Sequence, residues 1–480
     1  MKTIKLLFLS ISLLSLSLIA KASTNVSGGI YQNTTWTASA SPYIMTGPVV
    51  VFPGVTLTIQ PGVQILVQDT NVVSATGDNY LEIRGKLIMK GTKNAPITIE
   101  ALVQKQQVAA WYGIKILASQ GGTIDADYFS LSNTNYGMFV DTGVLPDSAS
   151  YHHCTWKYNN YAINVYNKSY FDTCTFQNNY NAITGNLLAS SNPWIIVNGG
   201  TFTGNSVALN PYGSHAMIHH ASLDNNYMAI SGIGSVTAWQ NTLHNNQIAL
   251  RGLSGYVENC QFTNNSIGIT DAFGLHIKSC SISGSNIACN IGEDCILDYS
   301  TVSNNDTAVV ISSSLSANSV YPMIYQNQIC NNTAYHVYNA SNINLNLGTN
   351  CFCGIDSATI DAKLYDGYDD ITKGLFNFSI YSQDCSTALR FIQKVAIPND
   401  NLAVEDIQNT IQLYPNPSSS TIQVKGIGAA ESIIVYDLQG KAVLFFKNTN
   451  SIDVSQLLPS TYLVLIQSEH KTIQRFFQKI

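Results

Sequence analysis

Charge is scarce in this chain. Lys, Arg, Asp and Glu together make up 11% of its 480 residues, against about 25% in an ordinary soluble domain. The net charge is −6, so no basic stripe is available to grip a phosphate backbone, and nucleic acid is excluded as a partner. Hydrophobic residues still reach 45%, so the shortage of charge is not the mark of disorder, which joins high charge to low hydrophobicity. Long apolar runs are missing too. The run 6–19 is shorter than the ~20 residues a spanning helix needs, and no other segment is long and apolar enough to cross a membrane. The chain has no GxGxxG, no P-loop, no HExxH and no GxSxG, which removes the commonest cofactor, phosphate, zinc-protease and hydrolase signatures.

What is present begins with an export signal. Lys2 and Lys5 precede the apolar run 6–19, and Ala20-Lys21-Ala22 supplies an A-x-A cleavage site. Residues 1–22 are therefore expected to be a signal peptide. No Cys follows the run, so a lipid anchor is not expected. The 10 cysteines (154, 174, 260, 280, 289, 295, 330, 351, 353 and 385) all lie downstream, where an exported chain can keep disulfides. Sequence alone leaves their connectivity open.

A repeat dominates the middle. Aligned on Leu131, Trp156, Phe176, Phe202, Leu223, Leu243, Phe262, Ile282 and Val302, units of about 20 to 25 residues fall into one register. Six residues after each anchor stands a small residue: Gly137, Ala162, Ala182, Ala208, Ala229, Ala249, Gly268, Ala288 and Ala308. Between them sits Asn, often doubled, as in Asn178-Asn179, Asn225-Asn226, Asn245-Asn246 and Asn264-Asn265. A looser tenth unit surrounds Ile329. Units this short cannot hold two helices and their turns. They read as short strands with period-2 alternation, in which the residue before each anchor points out while the anchor points in. Asn tolerates a left-handed corner, and its amide can bond the coils above and below. The fold expected is all-β, a parallel β-helix, because no coil can bury its apolar face alone.

Both flanks resemble known families. Thr35-Trp36, Ser41-Pro42-Tyr43, the run 49–60, Pro61-Gly62-Val63, Pro96-Ile97-Thr98 and Trp111-Tyr112-Gly113-Ile114 resemble the opening coils of bacterial right-handed parallel β-helix proteins of the pectin-lyase kind. The stretch 350–385, with Tyr365-Asp366-Gly367-Tyr368-Asp369-Asp370, resembles their closing turn. There Cys351-Phe352-Cys353 stands in place of the family's aromatic-Trp run and suggests a bridge instead. At the C-terminus, Leu413-Tyr414-Pro415-Asn416-Pro417, Ile433 to Lys441, Ile452-Asp453-Val454 and Thr461-Tyr462-Leu463-Val464 resemble the type A sorting domain of type IX secretion in Bacteroidetes. Alternating apolar strands between Asn, Gly and Pro turns independently suggest a small seven-stranded β-sandwich. The expected layout is a signal peptide at 1–22 and a β-helix over 23–386. Within the β-helix, opening coils span 28–123, regular repeats 124–347 and a closing turn 348–386. A linker at 387–411 and a sorting domain at 412–480 follow. The resemblance implies handling by the type IX machinery through 412–480 and an address outside the cell, secreted or on the outer-membrane surface by way of the periplasm. The chain is expected to be a monomer.

Chemistry must come from stacking. Asp224 and His244 each follow an anchor on successive coils, and His220 is expected on the same face, two pleats away from Asp224. A His beside a carboxylate can act as general base, so these three are the candidate catalytic residues, against the plainer reading of a surface polar ladder. Glu258, Lys278 and Asp298 recur four residues before an anchor and read as an alternating charge ladder. Tyr158, Tyr161, Tyr166, Tyr170 and Tyr180 crowd two neighbouring coils and are the candidate ligand-binding residues. No cofactor is required, although Asp366, Asp369 and Asp370 are close enough in sequence to suggest Ca²⁺. Lyases of the family need Arg or Lys, and between 124 and 347 only Lys157, Lys168, Arg251 and Lys278 are available. No acid triplet lies on adjacent coils. The expectation is an exported binding or adhesion scaffold contacting polysaccharide. The alternative is a carbohydrate-active enzyme, lyase or hydrolase, near coils 153–244, with loops 143–149, 185–193 and 312–322 walling a cleft.

Overall fold

The computed structural model describes residues 23–69, 79–103, 106–141, 149–166, 168–185, 194–347, 349–353, 356–379, 381–382, 385, 412–425, 430, 432–436, 442–468 and 471–480. From Thr24 to Tyr365 the chain winds as a right-handed parallel β-helix, with a 13-stranded and a 27-stranded sheet. One coil shows the plan. A first strand, His215–His219, lies in the smaller sheet; a second, Ser222–Asp224, and a third, Met228–Ser231, lie in the larger. His220 turns the first corner and Asn225 the second, both at φ 54. The variable connection then leads to the next first strand, Ser235–Trp239.

Every strand sits over its counterpart one coil away, so like residues stack. Leu223 pairs with Leu243 and Asp224 with His244; Val302 pairs with Ile329, so the loose tenth unit keeps the register. The anchors fill the interior. Trp156, Phe176 and Phe202 are fully buried, with ring centroids 4.8 Å apart at each step and planes within 8° of parallel. Such offset stacks add to simple burial. The small residue six positions on has a steric reason. A Cβ at Gly137 would lie within hard contact of the Ala162 carbonyl of the next coil.

The doubled Asn divides its work. The first of each pair takes the left-handed corner, as Asn178, Asn225, Asn245, Asn264 and Asn304 do. The second is buried and builds a ladder. Asn246 Oδ1 accepts from the Asn226 backbone N–H at 2.9 Å and its Nδ2 at 3.0 Å. Asn246 Nδ2 donates to the Leu223 carbonyl and to Asn265 Oδ1, each at 3.0 Å. The same bonds recur through Asn159, Asn179, Asn205 and Asn226. Ser285 interrupts the ladder: its N–H reaches Asn305 Oδ1 at 3.0 Å, but its own Oγ is buried without a partner.

The first corner carries a second inner column that the Asn count did not reveal: Cys154, Cys174, Gly200, Ala221, Asn241, Cys260, Cys280, Ser300 and Asn327. Where Asn stands it bonds backbone, as Asn241 does to Ala221 N–H at 2.9 Å. Where Cys stands, the thiol donates to a corner carbonyl instead, Cys154 to His152 at 3.2 Å and Cys280 to Lys278 at 3.3 Å. These four are buried free thiols, and so are Cys289 and Cys295, which close no loop. Burial pushes the Cys154 thiol well above its ordinary range.

The far end is closed by bonds of two kinds. Cys330 pairs with Cys353, and Cys351 with Cys385. The Asp366, Asp369 and Asp370 carboxylates serve the closing turn. Asp366 accepts from the Tyr368 and Phe376 N–H groups at 2.9 and 2.8 Å, Asp369 from the Asp366 N–H at 3.1 Å, and Asp370 from the Thr372 N–H at 2.9 Å. Beyond residue 411 the pairing turns antiparallel. Gln412–Tyr414, Thr421–Lys425 and Ser451–Asp453 form one sheet; Ala442–Lys447, Ser432–Tyr436, Ser460–Ser468 and Lys471–Lys479 form another. Ile422, Val424, Ile433, Val435, Ile452, Val464 and Phe477 are its core.

The ladder makes a direct prediction. Asn246→Ala removes four hydrogen bonds from a buried column and should cost on the order of 3 kcal/mol, whereas Ser285→Asn should gain about 1 kcal/mol by restoring the missing rung. Thermal denaturation followed by far-UV circular dichroism measures both. A Ser285→Asn protein that melts no higher than the parent contradicts the ladder account.

Candidate functional site

A three-faced coil offers outward positions as columns along the axis, and the faces differ in chemistry. The second-strand face holds the expected catalytic group in part. Asp224 and His244 are register partners and stand side by side. Asp224 Oδ2 accepts from Asn225 Nδ2 at 2.6 Å, and its Oδ1 is buried without a partner. His220 does not join them. It occupies the left-handed corner, and its Nδ1 lies 2.9 Å from Nδ1 of His219 on the first-strand face. The corner reverses the side-chain direction that a continuous strand would have had, so counting pleats from Asp224 misplaced it. His153, its counterpart, stacks on Tyr128 at 4.5 Å. Of the loops expected to wall a cleft, residues 143–148 of the loop 143–149 and residues 186–193 of the loop 185–193 lie outside the described residues. Residues 312–322 connect a third strand to a first strand, at the corner opposite the Asp224–His244 face.

The five tyrosines scatter. Tyr158 turns a second corner, Tyr161 lies in a third strand, Tyr170 in a first strand under Lys168, and Tyr180 projects from a second corner, 58% exposed. Tyr166 packs edge-on against Phe139. Tyr161, however, belongs to a column that sequence reading passed over. Tyr112, Tyr136 and Tyr161 stack at 5.3 and 5.6 Å, with Tyr80 edge-on to Tyr112 at 6.4 Å. Lys115 Nζ sits 3.7 Å from the Tyr80 ring centre and 4.1 Å from that of Tyr112. Burial lowers the Lys115 pKa, opposed by Glu82; burial raises that of Tyr112, helped by Tyr136 and Tyr166. The column continues in register through Asn181, Val207, Met228, Ile248, Ile267, Ile287, Thr307 and Tyr335. All but the buried Asn181 are half-buried, and none is charged. Tyr227, 58% exposed, stands beside it two coils from Tyr180. The signal was available: in the repeats these residues immediately precede the small residue.

The first-strand face is the reverse, a polar line in continuous register. Lys90, Asp127, His152, Asp172, Asn198, His219, Trp239, Glu258, Lys278, Asp298 and Tyr325 succeed one another coil by coil. Lys90 Nζ reaches Asp125 at 2.5 Å and Asp127 at 2.6 Å, and His152 Nδ1 lies 2.7 Å from Asp127. Burial works against the Asp127 charge, but Lys90 and His152 hold its pKa below the ordinary value. His219 stacks on Trp239 at 4.3 Å. Further along, the buried Asp298 receives both His276 Nε2 at 2.9 Å and the Tyr325 hydroxyl at 3.1 Å. His276 meets Tyr256 edge-on at 5.0 Å. Burial raises the Glu258 pKa against the pull of Lys278. Burial, with Asp298 beside it, pushes Tyr325 up to about 12. Glu258, Lys278 and Asp298 were read from the sequence as a ladder; His276 and Tyr325, which complete the group, were not. A carboxylate gripping an imidazole can orient a general base, and a raised carboxyl can donate a proton.

Comparison with known families fits this geometry. Residues 28–138 match the pectate-lyase like β-helix domain, and residues 412–479 match the secretion system C-terminal sorting domain. No curated protein matches the chain. The sorting domain implies interaction with the type IX machinery and export to the cell surface or secretion. Among the described residues no helix is long and apolar enough to cross a membrane.

Two histidines give the fold a pH dependence. Burial, then the neighbouring His220, lowers His219 to about 4; burial, then Lys363, lowers His336 to about 4. Unfolded chains take up these protons near pH 6.5, and the folded protein resists until about pH 4. Stability is therefore full above pH 6.5 and falls as the pH drops from there toward 4. Melting temperatures between pH 7.5 and 4.5 should show this fall, and the double variant His219→Gln/His336→Gln should flatten it. An unchanged slope in that variant assigns the effect elsewhere.

Proposed function

We propose that this exported pectate-lyase-like β-helix protein, carrying a type IX sorting domain, is an extracellular scaffold that binds a neutral polysaccharide along its third-strand face. One observation carries the reading: the column from Tyr112 to Tyr335 holds no charged residue, and all of it but Asn181 is half-buried. At about 4.8 Å per coil it runs roughly 50 Å. Outward faces of sheets normally alternate toward polar residues, and contiguous apolar lines on a surface mark binding. An extended sugar chain suits such a line, because its ring C–H faces pack on aliphatic and aromatic groups while its hydroxyls meet phenols. The Tyr136 and Tyr161 rings stack at 5.6 Å, and Tyr112 is tilted against Tyr136 at 5.3 Å. Tyr180 and Tyr227 are the most exposed rings beside the line. Their separation, two coils or about 9.6 Å, lets each stack on an alternate sugar.

Isothermal titration against soluble neutral glucans, mannans, xylans and galactans should find at least one ligand. Tyr180→Ala/Tyr227→Ala should weaken it about tenfold, in keeping with the loss of two exposed stacking rings, and Met228→Lys should weaken it further. These positions are exposed or half-buried, so stability should hold. Failure of the whole panel, or unchanged affinity in both variants, would sink the proposal.

A second reading, a carbohydrate-active enzyme, is favoured by the buried Asp298 that grips His276. In that reading His276 is the base, Glu258 the proton donor and Lys278 the neutralising charge, in place of His220, Asp224 and His244. Reducing-end and unsaturated-product assays on the same panel test it. Any turnover should vanish in His276→Ala and fall at least 100-fold in Asp298→Asn, since one positioned acid–base group contributes about 10²–10⁴-fold. Turnover that survives both changes removes the site.

A further inference from the structure

The closing coil gathers four sulfurs from three stretches of chain. Cys330 ends the strand Gln328–Cys330, Cys351 and Cys353 flank Phe352, and Cys385 follows the bridge at Ser382. Besides the two bonded pairs, Cys385 Sγ lies 3.7 Å from Cys353 Sγ. The sulfurs of Cys330, Cys353 and Cys385 all fall within 4.8 Å of one another. Among the described residues, no other group of three His, Cys, Asp or Glu side chains converges this closely.

The frame that holds them does not depend on the sulfur bonds. Backbone bridges join Gln328 to Cys351 and Cys351 to Ser382. Ile329 N–H donates to the Cys351 carbonyl at 2.9 Å, Cys351 N–H to the Asn327 carbonyl at 2.7 Å, and Ser382 N–H to the Asn350 carbonyl at 2.9 Å. The inner Asn column ends here as well, with Asn327 Nδ2 donating to Asn350 Oδ1 at 3.0 Å. The stretches that carry Cys330, Cys351 and Cys353 would therefore stay together if the bonds were opened, with Cys385 three residues beyond the bridge at Ser382.

We propose that in the reduced chain the three converging sulfurs of Cys330, Cys353 and Cys385 bind Zn²⁺ as thiolates, and that Cys351, once released from Cys385, turns in as the fourth ligand. Zinc bound to four thiolates at about 2.3 Å sets neighbouring sulfurs about 3.8 Å apart, which matches the contact between the two pairs. Gln328 Nε2 lies 3.6 Å from Cys353 Sγ and supplies the kind of outer donor that steadies a thiolate. Cys330 and Cys351 are buried and Cys353 is exposed, so the site has a closed base and an open approach. Among the described residues the converging group contains sulfur ligands alone, and the remaining six thiols are buried at other coils.

The chemistry balances in both directions. A newly made chain already holds thiols, and Zn²⁺ displaces their four protons on binding. Thiol–disulfide exchange with two equivalents of a protein or small-molecule disulfide then forms the two S–S bonds and releases Zn²⁺, the four electrons and four protons converting the two reagent disulfides to thiols. Starting from the oxidised protein, two equivalents of a phosphine reductant break the two bonds and become phosphine oxide, with two water molecules supplying the oxygens and the four thiol protons. The last coil is thus clamped in either state, by metal before oxidation and by disulfides after it.

The test uses the full chain from residue 23. Oxidised protein and phosphine-reduced protein are each given Zn²⁺ without oxygen, desalted and analysed for metal. The reduced form should hold about one Zn²⁺ per chain and the oxidised form none. Cd²⁺ in place of Zn²⁺ should give thiolate charge-transfer absorbance in the reduced form alone. Cys353→Ser/Cys385→Ser should abolish both signals. Far-UV circular dichroism of the reduced wild type checks the frame without any substitution. Reduced protein that holds less than about 0.2 Zn²⁺ per chain, that loses its strand signal, or whose double variant still binds fully overturns the proposal.

Discussion

Parallel register is the constraint from which the rest follows. Each coil lies over the next at one strand spacing, and the buried Asn column enforces the alignment. Every rung satisfies a backbone N–H and a carbonyl that the corner would otherwise strand away from water. A slip of one residue would turn the anchors out and carry the Asn side chains away from the corner at once. Unlike a globular core, which tolerates repacking, this one ties each residue to its counterparts above and below.

Register also decides where chemistry can be assembled. Residues far apart in sequence become neighbours when they share a position within the coil, as Tyr112, Tyr136 and Tyr161 do. Residues close in sequence part company when a left-handed corner falls between them, as His220 and Asp224 do. The three faces consequently specialise. The third-strand face is uncharged along its column, whereas the first-strand face carries the hydrogen-bonded Asp127–His152 and Asp298–His276 pairs.

Most of the fold was legible because its signals are periodic. The anchors, the small residues, the doubled Asn and the seven strands after residue 411 all recur at fixed offsets, and each has a steric or hydrogen-bonding cause. The Asp224–His244 neighbourhood was legible for the same reason. What escaped was what the period does not mark. The first corner accepts Tyr128, His153, Thr173, Gly199, His220, Gln240 and Ser279, all at positive φ, so no single residue type announced the change of direction there. His276 and Tyr325 reach Asp298 from adjacent coils, but from two different columns, and only side-chain length brings them together. The cysteine pairing followed the closing turn and not the repeat, which is why Cys154 and Cys174 share a column yet stay reduced.

The scarcity of charge has the same origin. A parallel stack sets identical positions at about 4.8 Å, close enough for like charges directly above one another to repel appreciably. Charges therefore survive on the outer columns mainly where the sign alternates or a neutral partner intervenes. Lys90, Asp127 and His152 follow one another in this way, as do Glu258, Lys278 and Asp298. Arg251 reaches across one coil to Asp271 at 3.0 Å. Asn, Ser, Thr and Tyr carry no such penalty and can bond their own kind up and down the axis. The low charge first seen in the composition is thus a product of the architecture, and on the third-strand face it leaves one column, from Tyr112 to Tyr335, without a charged residue.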